Sequence, residues 1–299
     1  MFKIWKYLLS ILALITATIW LAVLAYPQSK LRLIACDVGQ GDAFLAVYGQ
    51  TQILIDGGPN QKVLDCLSRY MPFWDRTIEG VVLTHPQKDH MAGLIDVFQR
   101  YNVKVFLASP IASSSQEFEV LKKLVGGSDI KIVNPTSGMI IRFDLIQLDV
   151  LHPSEEFILS AAEGFGQEIG KNILGAYTTK RDLNDFSIVA ILRYKNFDAL
   201  FTGDIGPVIS NQLSVNPLIR QVEYIKIPHH GSKNGISQDL LEAVNPKIGV
   251  ISAGKDNQYG HPQEEVLVML KAKDVTILRT DEMGDVEVQS DGESFWVEK

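Results

Sequence analysis

An apolar strand, Gly80-Val81-Val82-Leu83, runs straight into Thr84-His85-Pro86-Gln87-Lys88-Asp89-His90, and a helix pattern begins near Met91. Two imidazoles and a carboxylate thus crowd into the turn at a strand's C-terminal end, where α/β and layered folds form their ligand crevices. His and Asp at this density suit a metal ion. The competing reading is a polar loop whose His85 and His90 cap or solvate a helix start.

The other histidines shift the balance towards metal. His152 ends the apolar run Val150-Leu151, His229 and His230 follow Ile227-Pro228, and His261 sits in Tyr259-Gly260-His261-Pro262. Asp204 again follows an apolar strand, in Leu200-Phe201-Thr202-Gly203-Asp204. Each lies at a strand end or in a Gly/Pro-marked loop. Strand-end loops converge on one rim of a layered fold, so these side chains can meet in space.

With these segments the chain resembles the metallo-β-lactamase superfamily, and more closely the C-terminal domain of ComEC-type DNA-uptake proteins. The marks run in family order from Cys36-Asp37-Val38-Gly39-Gln40-Gly41-Asp42 and Leu54-Ile55-Asp56-Gly57-Gly58 through Thr84–His90, Asn184 with Ser187, and Thr202-Gly203-Asp204 to His229-His230-Gly231-Ser232, Tyr259-Gly260-His261-Pro262 and Thr280-Asp281. The resemblance covers the chain from about Lys30 onward. It implies a four-layer αββα sandwich holding one or two divalent metal ions, zinc or manganese.

One ion position is expected from Asp89, His90, Asp204 and His261, with Asp204 bridging to a second ion near His85 and His152. Gln87 stands where the superfamily carries His and ComEC-like domains carry Asp. A neutral carboxamide is the weaker ligand, so the second position is expected to be weak. His152 has a rival reading as a cap of its hairpin. The catalytic set implied is Asp89 with His229 and His230, one of which contacts phosphate or protonates the leaving oxygen; the sequence leaves open which. Asp56 reads either as the carboxylate that orients a metal-binding imidazole such as His85 or as a turn aspartate. Asp37 and Asp42 mark a tight turn.

Tyr7 to Tyr26 carries no charge, which is about the length needed to span a bilayer. Its length favours an uncleaved single-pass anchor over a signal peptide cleaved after Val23-Leu24-Ala25. Residues 1–29 are therefore read as anchor and 30–299 as the hydrolase domain, outside the cytoplasm. Cys36, in an apolar strand, and Cys66, in a helix pattern, read as two buried free thiols. The net charge of −7 and the lack of a long Lys/Arg block argue against a broad basic groove for nucleic acid, though bound cations can neutralise a phosphodiester locally. Residues 154–182, rich in glycine and weakly patterned, read as a surface insertion or a lid.

The resemblance makes the expected activity metal-dependent hydrolysis of a DNA phosphodiester at the membrane. This sequence carries no multi-span channel segment, so a free-standing nuclease or a partner of a separate DNA-uptake channel is expected. The alternatives are a hydrolase of small esters, lactones or thioesters, and a degenerate binding or scaffold module poor in metal.

Overall fold

Strands buried on both faces organise the molecule. The computed structural model describes residues 2–24, 30–161 and 173–298. Among these residues the strands form two sheets. In chain order the first sheet holds β1 (Leu31–Ala35), β2 (Phe44–Tyr48), β3 (Thr51–Ile55), β4 (Thr77–Leu83), β5 (Asn102–Ala108) and β6 (Lys131–Val133). The second holds β7 (Ile140–Phe143), β8 (Ile146–His152), β9 (Val189–Tyr194), β10 (Phe197–Phe201), β11 (Tyr224–Lys226), β12 (Ile248–Ile251) and β13 (Thr276–Arg279). The chain then returns to the first sheet with β14 (Val286–Ser290) and β15 (Phe295–Glu298). The order is β15-β14-β1-β2-β3-β4-β5-β6 in one sheet and β13-β12-β11-β10-β9-β8-β7 in the other.

Strand parity assigns the layers. In β3, Ile53 and Ile55 face the second sheet and join Leu148, Val150, Leu192 and Phe201 in the central core. Leu54, between them, points outward to Leu67, Leu94 and Phe98 of the covering helices. Those helices are α2 (Lys62–Tyr70), α3 (Lys88–Arg100) and α4 (Gln116–Gly126), following the N-terminal α1 (Phe2–Leu24). On the other side α5 (Glu155–Ala161), α6 (Pro207–Ser214), α7 (Gln238–Val244) and α8 (Glu264–Lys271) precede the short α9 (Thr280–Met283). Leu213, Leu240, Leu241 and Leu270 pack there on Ile191, Ile225 and Ile251 of the second sheet. The αββα layering expected from the sequence is present.

Three parallel pairings aim strand ends at one rim: β3 with β4, β10 with β11, and β11 with β12. Asp56, Thr84-His85, Asp204, His229-His230 and Ser252 each follow the C-terminal end of one of these strands within four residues. That is why residues far apart in sequence meet.

Two expectations are corrected. Cys36 and Cys66 form a disulfide, with Cα atoms 5.8 Å apart. The residue after β1 and the middle of α2 share the helix-facing core, and that separation suits a bridge; neither segment's pattern reveals the other's position. The helix after the histidine turn begins at Lys88 and not near Met91, so Asp89 and His90 occupy its first turn.

α1 is long and apolar enough to cross a membrane, through Ile4–Leu21. The cleavage site at Ala25 and the end of the uncharged run at Tyr26 lie outside the described residues. Within the 154–182 stretch the structure forms α5 and, at its end, Asp182 caps a 3-10 turn over Leu183–Phe186; residues 162–172, the middle of the expected lid, are outside the description.

Candidate metal centre

Asp89, His90, Asp204 and His230 bring one donor atom each to within 4.8 Å of one another. His90 Nε2 and His230 Nε2 lie 3.2 and 3.3 Å from the same oxygen, Asp204 Oδ2. Asp89 Oδ2 is 3.3 Å from His230 Nε2 and 4.0 Å from His90 Nε2. Two carboxylates and two imidazoles converging in this way match the donor chemistry of a divalent cation.

The inner side of the cluster is built by hydrogen bonds. Asp56 Oδ2 is 2.8 Å from His90 Nδ1 and accepts from Thr84 Oγ1 at 2.7 Å. Because that hydroxyl proton is committed to Asp56, the Thr84 oxygen accepts from His85 Nδ1, 3.1 Å away. This leaves His85 Nε2 as a bare lone pair, and no protein group meets it although it is buried. Burial, reinforced by His90, lowers the His85 pKa to about 3, so the ring is neutral. A neutral imidazole with an unmet nitrogen is what a metal ligand requires. Asp56 thus holds His90 directly and His85 through Thr84.

Lys226, the last residue of β11, is buried beneath Asp204. Its ammonium donates to Gly203 O at 2.7 Å and Asp204 Oδ1 at 2.8 Å, and it pairs with Asp42 Oδ2. Burial alone would raise the Asp204 pKa, but Lys226, His230 and His90 outweigh it and hold it well below the carboxylate range. Burial likewise opposes charge on His90, and Asp204 and Asp56 override it, raising its pKa well above the usual value. His230 is pushed up to about 10 in the same way, against burial, by Asp204 and Asp42. These protons stand where a cation would otherwise balance the carboxylates.

The backbone is strained where it delivers these groups. Asp56, His229 and His230 have φ of 60°, 53° and 55°, a left-handed conformation costing about 1–3 kcal/mol each for residues with a side chain. Gly203 (φ 53°) allows Asp204 its place, since a Cβ there would meet the Ser187 Cβ at 2.7 Å. The Ser187 hydroxyl in turn accepts from Asp204 N at 3.1 Å.

The remaining expected residues spread out from the cluster. His261 lines the cleft with its ring centre 6.4 Å from that of His230, and its Nδ1 is buried without a protein partner. Gln87 occupies the N-cap position of α3 without a side-chain capping bond, and its amide lies 3.5 Å from Asp182 Oδ1. His152 Nε2 donates to Asp185 O at 2.8 Å, and burial lowers its pKa to about 4; this contact ties it to the 3-10 turn Leu183–Phe186, and it is not among the clustered donors. His229 is half-buried on the cleft wall, its backbone N–H on Asp204 Oδ1 at 3.0 Å. His230, one of the two histidines between which the sequence left the acid role open, stands among the clustered donors. Sequence reasoning missed Lys226, Thr84 and the inward role of Asp42. A lysine inside the apolar run Val222–Ile227 was the available signal for the first.

The cluster opens into a cleft of about 520 Å³ lined by Gln40, Gln87, Lys88, His229, Tyr259 and His261, among others.

The fold and rim chemistry together define a class. The sequence model of the metallo-beta-lactamase superfamily matches residues 36–255, and the chain belongs to that superfamily. Within it the chain is similar to ComEC-type competence proteins. ComE operon protein 3 of Bacillus subtilis (strain 168) is 23% identical over 300 residues, covering 91% of this chain and 35% of that protein. Competence protein ComA of Neisseria gonorrhoeae is 26% identical over 267 residues, covering 87% and 32%. The chain spans about a third of the length of these relatives. Among solved structures, the metallo-beta-lactamase fold protein YhfI from Bacillus subtilis shares the fold at a TM-score of 0.51 and 10% identity, over 83% of this chain and 95% of that one. Igni18, a metallo hydrolase from Ignicoccus hospitalis, does so at 0.50 and 14%, over 86% and 98%.

Proposed function

We propose that the chain is a membrane-anchored, metal-dependent phosphodiesterase acting on DNA outside the cytoplasm, with residues 1–29 as anchor and 30–299 as the hydrolase. The observation that carries this reading is the convergence of Asp89, His90, Asp204 and His230 on one point at the foot of a cleft. The similarity to competence proteins supports DNA among the ester substrates. The disulfide supports an oxidising compartment, and α1 supplies the span. Association with a separate DNA-uptake channel is the partner reading.

Asp89, His90, Asp204 and His230 would hold a divalent cation, zinc or manganese, with His85 Nε2 and His261 Nδ1 as unmet donors beside them. Such a cation supplies Lewis acidity and an acidified water at neutral pH. Asp56 and Thr84 fix the tautomers that present His90 and His85. His229, on the cleft wall and outside the clustered donors, is placed to give a proton to the leaving oxygen. Lys88 is the one Lys or Arg among the described cleft-lining residues, and Glu117 holds it at 2.8 Å. The substrate's charge therefore falls mainly to the cation.

That scarcity of positive charge, with a net charge of −7, favours a second reading: hydrolysis of small esters, lactones or thioesters. The test is direct. Purified full chain, stripped of metal and reloaded with Mn²⁺ or Zn²⁺, should cleave single-stranded DNA and lose that activity with Asp204→Asn. Cleavage of small esters with intact DNA would establish the second reading, and a chain inert to both would leave a binding module.

A further inference from the structure

Three oxygens surround the Lys226 ammonium: Gly203 O at 2.7 Å, Asp204 Oδ1 at 2.8 Å and Asp42 Oδ2. Two of these oxygens accept hydrogen bonds from it, the third is an ion-pair contact, and its charge faces two buried carboxylates. Asp204 is divided by this arrangement. Its Oδ1 takes Lys226 and the His229 N–H at 3.0 Å. Its Oδ2 faces His90 and His230 at 3.2 and 3.3 Å. Asp42 also pairs with Lys226, and His230 Nδ1, whose hydrogen bond goes to Ser252 O at 3.0 Å, lies 3.2 Å from Asp42 Oδ1, although Asp42, Asp56 and His90 have the spacing of a second donor group.

We propose that Lys226 is a positioning residue whose ammonium acts as a built-in cation, restricting Asp204 to one oxygen for the metal ion and keeping the Asp42 side of the cluster free of ions. The proposal rests on the reading of Asp89, His90, Asp204 and His230 as a metal centre. A rotating carboxylate can chelate through both oxygens or drift towards whichever cation is nearest. One pinned by a lysine and a backbone N–H presents a single lone-pair direction, and partners of this kind are worth about 10–100-fold in metal affinity. Removing a buried ammonium from between two carboxylates leaves uncompensated charge, which a divalent ion would relieve.

The experiment is calorimetric titration of the metal-free full chain in detergent with Mn²⁺, with ion counting and thermal unfolding in parallel. The wild type is expected to take up one ion tightly. Lys226→Met/Asp42→Asn removes one charge of each sign, so the cluster's balance is kept while Asp204 loses its restraint; its tight ion should bind about 10–100-fold more weakly. Lys226→Met alone should gain one Mn²⁺ per chain, and Mn²⁺ should raise its unfolding temperature more than the wild type's. A purely structural lysine would not change the ion count. Wild-type affinity in the double variant, or an unchanged count in the single one, overturns the proposal while the metal centre stands. Lys226→Met that folds at no Mn²⁺ concentration also counts against it, since a cation is then not what that point requires. A wild type that binds no Mn²⁺, or Asp204→Asn that binds it equally well, removes the metal centre itself and the proposal with it.

Discussion

The Asp56 carboxylate lies 2.8 Å from Nδ1 of His90 and so leaves Nε2 of that ring to face Asp204 and Asp89. The same carboxylate accepts the Thr84 hydroxyl, whose oxygen fixes His85. One turn aspartate therefore sets the tautomers of two imidazoles. Asp56→Asn should weaken metal binding by about 10–100-fold, and Thr84→Val should do so less, because it removes the partner of His85 and one hydrogen bond to Asp56 but leaves the Asp56 carboxylate on His90. Calorimetry on the metal-free protein measures both; equal affinity in Asp56→Asn would show that packing alone orients His90.

Gln87 makes the second prediction. Its amide reaches Asp182 Oδ1 at 3.5 Å, while His85 keeps an unmet nitrogen. Ions beyond the first should therefore load weakly. Gln87→His should tighten that weaker site and favour Zn²⁺, which imidazole suits, leaving the tight ion unchanged. Two equally tight ions in the natural sequence would refute this.

The disulfide gives a stability prediction. Cys36 and Cys66 close a loop of 30 residues, for which chain entropy contributes about 3–4 kcal/mol. Cys36→Ser/Cys66→Ser should lower the unfolding temperature by roughly 5–10 °C. Protein taken from cells with thiols trapped at lysis should carry the bridge. Free thiols in that material would remove the support it gives to an extracytoplasmic domain.

Much of this site was legible because each ligand type sits directly after a strand and parallel strands share a rim: Thr84-His85, Asp204 and His229-His230 all follow that rule. What stayed hidden depended on pairing across the two sheets. Nothing in Asp42's own turn shows that Lys226, which follows it by more than half the chain, will stand against it. The assignment of His230 to the cluster and His229 to the cleft wall comes from two left-handed residues in succession, which no apolar periodicity encodes. The bridge from Cys36 to Cys66 likewise depends on how the end of β1 packs against α2.

His152 carries a pH prediction. Burial lowers its pKa to about 4 from the usual 6.5. The unfolded chain therefore takes up this proton as pH falls below 6.5, while the folded chain resists until about 4, and stability drains across that window. Above 6.5 the ring is neutral in both states and contributes no pH dependence. The full loss is of order 3 kcal/mol. His152→Gln, which keeps a donor for Asp185 O, should lose less stability between pH 6.5 and 4 than the wild type in denaturant titrations of metal-free protein. Parallel curves would assign the acid sensitivity to other groups.

The last prediction separates the adjacent histidines. His230 is buried with Nε2 3.3 Å from both Asp89 Oδ2 and Asp204 Oδ2. His229 is half-buried, faces the cleft, and touches Asp204 through its backbone N–H alone. Removing the His229 side chain leaves that N–H in place, so His229→Ala should retain its metal and lose turnover by about 10²–10⁴-fold, the usual loss on removal of a general acid. His230→Ala removes a donor and should lose metal and turnover together, with excess Mn²⁺ restoring part of the rate. Ion counting beside single-turnover DNA cleavage distinguishes the two. If both variants lose metal equally, His229 also belongs to the ligand set; if both keep it, His230 does not.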